Sequence, residues 1–222
     1  METRTVDVAI IGAGTAGLNA RRAVEKAGGQ PLLIESGVYG TTCARVGCMP
    51  SKLLIAAADA AHEVASADGF GIEVPDWRID GPRVLARVQR ERDRFAGMVA
   101  ANTEALPAEQ RLLGHARFTG TTTLEVDDHT RVEARAVVIA SGSSPFIPPP
   151  FDAIRADLLT SDNLFEQKTL PESLAVIGTG IIGLELGQAL QRLGVRVTFF
   201  NPFNELGPFT DPVVEQAAHA IL

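Results

Sequence analysis

The sequence predicts an α/β fold in which strand, glycine turn, helix and strand follow one another twice. Three observations carry that prediction. Gly12-Ala13-Gly14-Thr15-Ala16-Gly17 closes an apolar, β-branched run; Gly178-Thr179-Gly180-Ile181-Ile182-Gly183 closes another; and helix-periodic segments with a stretch of alternating polarity lie between them.

Thr5 to Ile11 reads as a buried parallel strand that stops at Gly12. The helix after it, Gly17 to Lys26, carries Leu18, Ala20, Ala23 and Val24 on a helical period and is stopped by Gly28-Gly29. Pro31 to Glu35 is the next strand, completing a βαβ unit with a right-handed crossover. Lys52 to Ala67, rich in Ala and Leu, predicts a helix broken by Asp68-Gly69-Phe70-Gly71, and Pro82 to Leu106 predicts a long helix with a charged outer face. Gly114 to Val126 and Thr130 to Ala140 alternate around Gly120 and Asp127-Asp128, predicting antiparallel strands that end in a buried run, Ala136 to Ala140. Four of the 13 prolines fall between Pro145 and Pro150, a stiff, non-helical stretch that marks a domain boundary. Beyond it, Ser173 to Ile177, Gly178 to Leu193 and Val195 to Phe200 repeat the opening unit.

Both glycine clusters match G-x-G-x-x-G directly after a strand and at the start of a helix, the context that gives this pattern its meaning. Gly12 allows the tight turn, Gly14 lets a pyrophosphate approach the backbone, and Gly17 packs helix against strand, leaving the helix N-terminus for phosphate. Glu35, eighteen residues beyond Gly17, stands where a carboxylate accepts hydrogen bonds from ribose hydroxyls. The competing reading is glycines that only permit tight packing. Gly178, Gly180 and Gly183 imply a second dinucleotide, but Asn201 at the end of the following strand is neither the acid suited to a 2′-hydroxyl nor an arginine suited to a 2′-phosphate. Arg192 and Arg196 are nearby, off the expected place, so NAD and NADP both remain open.

The composition, 45% hydrophobic and 21% charged over 222 residues, is that of a globular protein with a sizeable core, in one large domain or two small ones. A formal net charge of −7 opposes binding to nucleic acid or anionic lipid. No apolar run reaches the ~20 residues a membrane span needs. The N-terminus, with Arg4 balanced by Glu2, is unlike a secretory signal. A cytoplasmic, reducing compartment is expected, where a close cysteine pair points to catalysis, redox sensing or metal binding rather than a structural bridge.

Cys43 and Cys48 are the only cysteines. Two inert core thiols and half of a zinc site are the alternatives, the latter opposed by the scatter of His62, His115, His129 and His219. A disulfide across this short loop could be opened by a thiol substrate or by electrons from a cofactor. Pro50-Ser51-Lys52 should open the next helix, whose dipole favours a thiolate at Cys48. Arg45 beside the pair is expected to lower a thiol pKa.

Four ordered segments, the opening fingerprint, Thr42-Cys43 through Lys52, Val138 through Ser143 and Gly178 through Gly187, resemble the FAD-dependent pyridine nucleotide-disulfide oxidoreductases. The resemblance implies two Rossmann-like units, the first holding FAD and bearing a helical insertion and an antiparallel β meander, the second holding NAD(P). It implies residues 1–147 as FAD-binding domain, without its C-terminal FAD segment, and 148–222 as the opening of an NAD(P)-binding domain. The dimerisation domain with its His–Glu base would then lie outside this chain, which is expected to be a fragment of a homodimeric protein.

By the same resemblance Gly12, Gly14, Gly17, Glu35, Thr42, Ser141 and Gly142 contact FAD, and Gly178, Gly180 and Gly183 contact the nicotinamide dinucleotide. Cys48 would face the flavin as charge-transfer thiolate, Cys43 would be the interchange thiol, Lys52 would lie near flavin N5, and Glu185 would pair with Lys52. Pro-Ser-Lys after the second cysteine resembles dihydrolipoamide dehydrogenase and mercuric reductase more than glutathione reductase, although Thr41 and Ala44-Arg45 depart from the usual glycine and apolar-Asn pair. Dihydrolipoyl dehydrogenase activity with NAD, on a small dithiol or a lipoyl domain, is the first expectation. NADPH-dependent reduction of a disulfide or a metal ion is the second, and a non-catalytic nucleotide-binding redox module the third.

Overall fold

The computed structural model describes residues 1–202, 206–207 and 209–221. Packing groups the chain into two units, Met1–Cys48 with Arg92–Asp162, and Met49–Glu91 with Asn163–Leu222. The boundary expected at residue 148 concerns which segment holds which nucleotide; packing is a different criterion, and by it residues 49–91 join the second unit.

The first unit is built on β1 (Glu2–Ile11), α1 (Thr15–Lys26) and β2 (Pro31–Glu35), followed by the one-turn α2 (Thr42–Arg45). Four further strands come after the helical insertion: β3 (Arg111–Leu113), β4 (Ala116–Phe118), β5 (Thr123–Val126) and β6 (Thr130–Ile139). They form one six-stranded sheet in the order β3-β2-β1-β6-β5-β4. β1 runs parallel to β2 and β6, with Ile11 opposite both Ile34 and Ile139, while β4, β5 and β6 pair antiparallel. Ala9, Leu32, Ile34, Leu124, Val126 and Val132 form its core, joining the central strands to the meander.

Two expectations for this unit are corrected. The run Ala136 to Ala140 is not buried: Ile139 is 69% exposed. β5 pairs with β6 only from Thr130 to Glu133, so the later half of β6 has β1 on one side and no strand on the other. Nor is the proline stretch wholly non-helical. Pro149–Asp157 is a 3-10 segment, because proline fits the first turn of a helix, where its missing N–H would have no partner.

The second unit contains most of α3 (Cys48–Ala65), the first part of α4 (Gly81–Glu104), and the β7 (Ser173–Ile177), α5 (Ile181–Arg192) and β8 (Arg196–Phe200) motif, with α6 (Pro212–Ile221) after it. β7 and β8 pair in parallel. Leu54 and Ala58 of α3, Leu85 and Val88 of α4, and Leu186, Ala189 and Leu190 of α5 bury one another around Phe165. Truncating a leucine at such a site typically costs ~2–5 kcal/mol.

Helices α1 and α5 end alike. Gly29 N–H bonds to Val24 O at 3.0 Å and Val195 N–H to Leu190 O at 3.1 Å, six-residue closures that satisfy a last-turn carbonyl and aim the chain into the next strand. No helix among the described residues is long and apolar enough to cross a membrane.

Candidate functional site

The first glycine turn divides its work among three glycines, and the space around each shows how. Gly12 sits at φ +105°, donates its N–H to Ile34 O at 2.7 Å, and a Cβ there would overlap the carbonyl oxygen of Ala140. At Gly17 a Cβ would overlap the carbonyl oxygen of Gly12. At Gly14 nothing lies within 4 Å. Gly12 and Gly17 are therefore demanded by packing, and Gly14 leaves open space over the first turn of α1, which has no side-chain cap and no acidic residue. Such a turn presents free N–H groups and positive potential to an anion.

That space belongs to a cleft of about 350 Å³. Gly12, Gly14, Glu35, Thr42, Ser141 and Gly142 all line it, while Gly17 sits behind it as packing. The Ala140 to Gly142 segment reaches the cleft because Ala140 N–H bonds to Ile11 O at 2.8 Å, extending the β1–β6 pairing. Glu35 accepts from Ala13 N–H at 2.8 Å and from Gly37 N–H at 2.9 Å, one bond on each oxygen. Each oxygen keeps a further acceptor site, so the carboxylate can brace the turn and still receive a ribose hydroxyl. A bare-backbone cradle, an unblocked helix N-terminus and an acceptor acid match the adenosine diphosphate part of a dinucleotide.

The second turn repeats the first in its strand bond and its third glycine, although a Cβ on Gly178, unlike one on Gly12, would meet nothing within 4 Å. Gly178 donates to Phe200 O at 2.7 Å, Gly180 faces open space, and a Cβ on Gly183 would come within 2.6 Å of Gly178 O. Where Glu35 bonds Ala13, Asn201 donates its amide to Thr179 Oγ1 at 2.7 Å. Arg192 is held by Asp59 at 2.7 Å, and Arg196 starts β8 at the end of the strand away from the turn.

Cys43 lies in α2 and Cys48 is the first residue of α3, so the helix begins four residues earlier than expected, at the thiol itself. Gly47 lets the intervening turn fold back, since a Cβ there would come within 3.2 Å of Cys43 Cα. Thr41 precedes α2 at φ +51°, and its Oγ1 caps the turn by accepting from Ala44 N–H at 3.1 Å. The two cysteines stand as thiols, not as a disulfide; Cys43 is half-buried and Cys48 exposed. The Cys43 thiol is raised above its ordinary value, first by its hydrogen bond with Cys48, then by burial and by the Cys48 charge. Arg45 is not among those causes, and its side chain lines the cleft.

Further along α3, Lys52 pairs with Glu185 of α5 through Nζ and Oε1. Among the described residues no cluster of three or more His, Cys, Asp or Glu side chains could hold a metal ion.

A family model described as pyridine nucleotide-disulphide oxidoreductase matches residues 6–222. The chain belongs to this family. A mercuric reductase of Streptomyces lividans is 38% identical over 86% of the chain and 42% of its own length. A mycothione reductase of Mycobacterium tuberculosis is 34% identical over 87% and 43%. A dihydrolipoyl dehydrogenase of Chlamydia pneumoniae is 31% identical over 96% and 46%. The chain thus spans under half the length of these curated relatives. Among solved structures, the Cu(II) complex of the HOCl-induced flavoprotein disulfide reductase RclA from Escherichia coli shares the fold with a TM-score of 0.77, at 23% identity, over 98% of this chain and 47% of that one.

Family membership accords with the α/β architecture and implies use of FAD and NAD(P). Within the first unit, the structure gathers every predicted first-cofactor residue around one cleft except Gly17, which shapes it from behind. His115 also stands on the cleft wall, though the sequence gives no sign of it. It is positioned by Gly114 N–H on Glu35 O and by its own N–H on Asp127, after a strand only three residues long that leaves almost no periodic signal.

Proposed function

We propose that this family member is a flavoprotein disulfide oxidoreductase in which electrons pass between a dithiol or disulfide substrate, the Cys43–Cys48 pair, FAD and NAD(P). The observation that carries the reading is the contact between the two thiols, with Thr42, next to Cys43, on the wall of a dinucleotide cleft. FAD would be held by Gly12, Gly14, Glu35, Thr42, Ser141 and Gly142, and the nicotinamide nucleotide by Gly178, Gly180 and Gly183. When bound, FAD supplies a two-electron path between the cysteine pair and the nicotinamide.

The chain's own thiols perform the exchange. Cys43 thiolate attacks one sulfur of a disulfide, forming a mixed disulfide and releasing one thiolate, which takes up a proton. Cys48 thiolate then attacks the Cys43 sulfur, releasing the second thiol and leaving a Cys43–Cys48 disulfide; oxidation of a dithiol is the reverse. Glu185 pairs with Lys52 one helical turn beyond Cys48.

Dihydrolipoyl dehydrogenase activity with NAD, on free dihydrolipoamide or a lipoyl domain, is the substrate reading. The dihydrolipoyl dehydrogenase likeness extends over 96% of the chain, and among the described residues no arginine stands free where a 2′-phosphate would sit, because Arg192 is paired with Asp59 and Arg196 lies about 13 Å along the strand. The second reading, a metal-ion or disulfide reductase, is favoured by the 38% identity to mercuric reductase. Incubating the chain with dihydrolipoamide and lipoamide at set ratios and counting thiols tests the exchange. Reversible loss of two thiols per chain supports it; thiols unresponsive to the ratio contradict it. Electron transfer to NAD rather than NADP from the FAD-loaded protein then separates the two substrate readings.

A further inference from the structure

We infer that Arg45 binds the pyrophosphate of the dinucleotide in the first cleft, an inference that rests on the FAD reading above. Arg45 and Thr42 are three residues apart on α2 and so share a face of that turn. Both line the cleft, and Cys43 between them does not. The Arg45 stem runs past bare Gly40, with Cδ 3.1 Å from where a Cβ would stand. Among the described residues its guanidinium has no hydrogen-bond or ion-pair partner, so its donors are available.

Charge gives this side chain a purpose. Among the described residues Arg45 is the one permanent cation on the cleft wall, and Glu35 is the anion there. Without Arg45 the cleft would offer a doubly charged pyrophosphate backbone N–H groups, the α1 dipole and side chains such as Thr42 and Ser141, but no lysine or arginine among the described residues, opposed by a carboxylate. With it, a planar fork of charged donors faces the same space, suited to two phosphate oxygens at once. A role for Arg45 on the thiols is disfavoured, because Cys43 is shifted upward and by other groups.

The test is FAD and ADP binding by the full chain, followed by flavin fluorescence and calorimetry at several salt concentrations, for wild type, Arg45→Ala and Arg45→Lys. Arg45→Ala should weaken both ligands about tenfold at low salt, flatten the dependence of affinity on salt, and leave the thermal midpoint and the Cys43 thiol titration unchanged; Arg45→Lys should recover part of the affinity. Wild-type binding with unchanged affinity and salt slope in Arg45→Ala overturns the inference alone. A wild-type chain that binds neither FAD nor ADP overturns the cofactor reading and the inference with it.

Discussion

The carboxylate of Glu35 accepts the backbone N–H of Ala13 at 2.8 Å, so the acid at the end of β2 fastens the glycine turn whose cleft it lines. A second bond, from Gly37 N–H at 2.9 Å, fastens the loop that follows. Glu35→Ala removes both acceptors and should lower stability by about 2 kcal/mol in urea unfolding, whereas Glu35→Gln keeps one acceptor and should cost about half as much.

Gly17 and Gly14 should separate folding from binding. Gly17→Ala places a methyl group against the carbonyl oxygen of Gly12 and should destabilise the chain by about 3 kcal/mol. Gly14→Ala meets open space at an extended φ of −75°, so it should cost no more than about 1 kcal/mol as a poorer helix cap while blocking dinucleotide binding. Thermal unfolding together with FAD binding distinguishes the two.

Thr41 sets a cap against backbone strain. Its φ of +51° costs a β-branched residue about 1–2 kcal/mol, and its Oγ1 bond to Ala44 N–H returns about 1 kcal/mol. Thr41→Ala keeps the strain and loses the cap, and should be less stable by about 1 kcal/mol. Thr41→Gly removes the strain and should match or exceed the parent in a denaturant titration.

The raised Cys43 thiol fixes a pH dependence. Its ordinary value is 9.0, and hydrogen bonding to Cys48 with partial burial favours the protonated form in the folded state. The stabilisation is therefore fully present below pH 9 and lost as pH rises through the folded-state value above it. Reduced chain should lose stability in that window, and Cys48→Ala should flatten the loss and bring alkylation of Cys43 to lower pH.

The sequence disclosed these features unevenly, for physical reasons. Both glycine turns were legible because glycines at fixed spacing follow an apolar strand and open a helix, and β2 was legible to the residue because Pro31 and Glu35 bound it. β3 and β4, three residues each, are too short to show a period, so His115 went unnoticed on the cleft wall. Apolar composition marked Ala136 to Ala140 as buried, but burial depends on neighbours, and the later part of β6 has a strand on only one side. Arg45 lies two residues from Cys43 in sequence, but a turn of helix points residues 42 and 45 one way and the thiol another.

The most direct measurement is the visible absorption spectrum of the chain after FAD reconstitution, before and after one equivalent of dithiol, for wild type and Cys48→Ser. The account predicts retained flavin and a long-wavelength thiolate-to-flavin band that dithiol brings up in wild type and not in Cys48→Ser. Failure to retain flavin, or a band indifferent to Cys48, would contradict a redox centre built from this cysteine pair and the first glycine cleft.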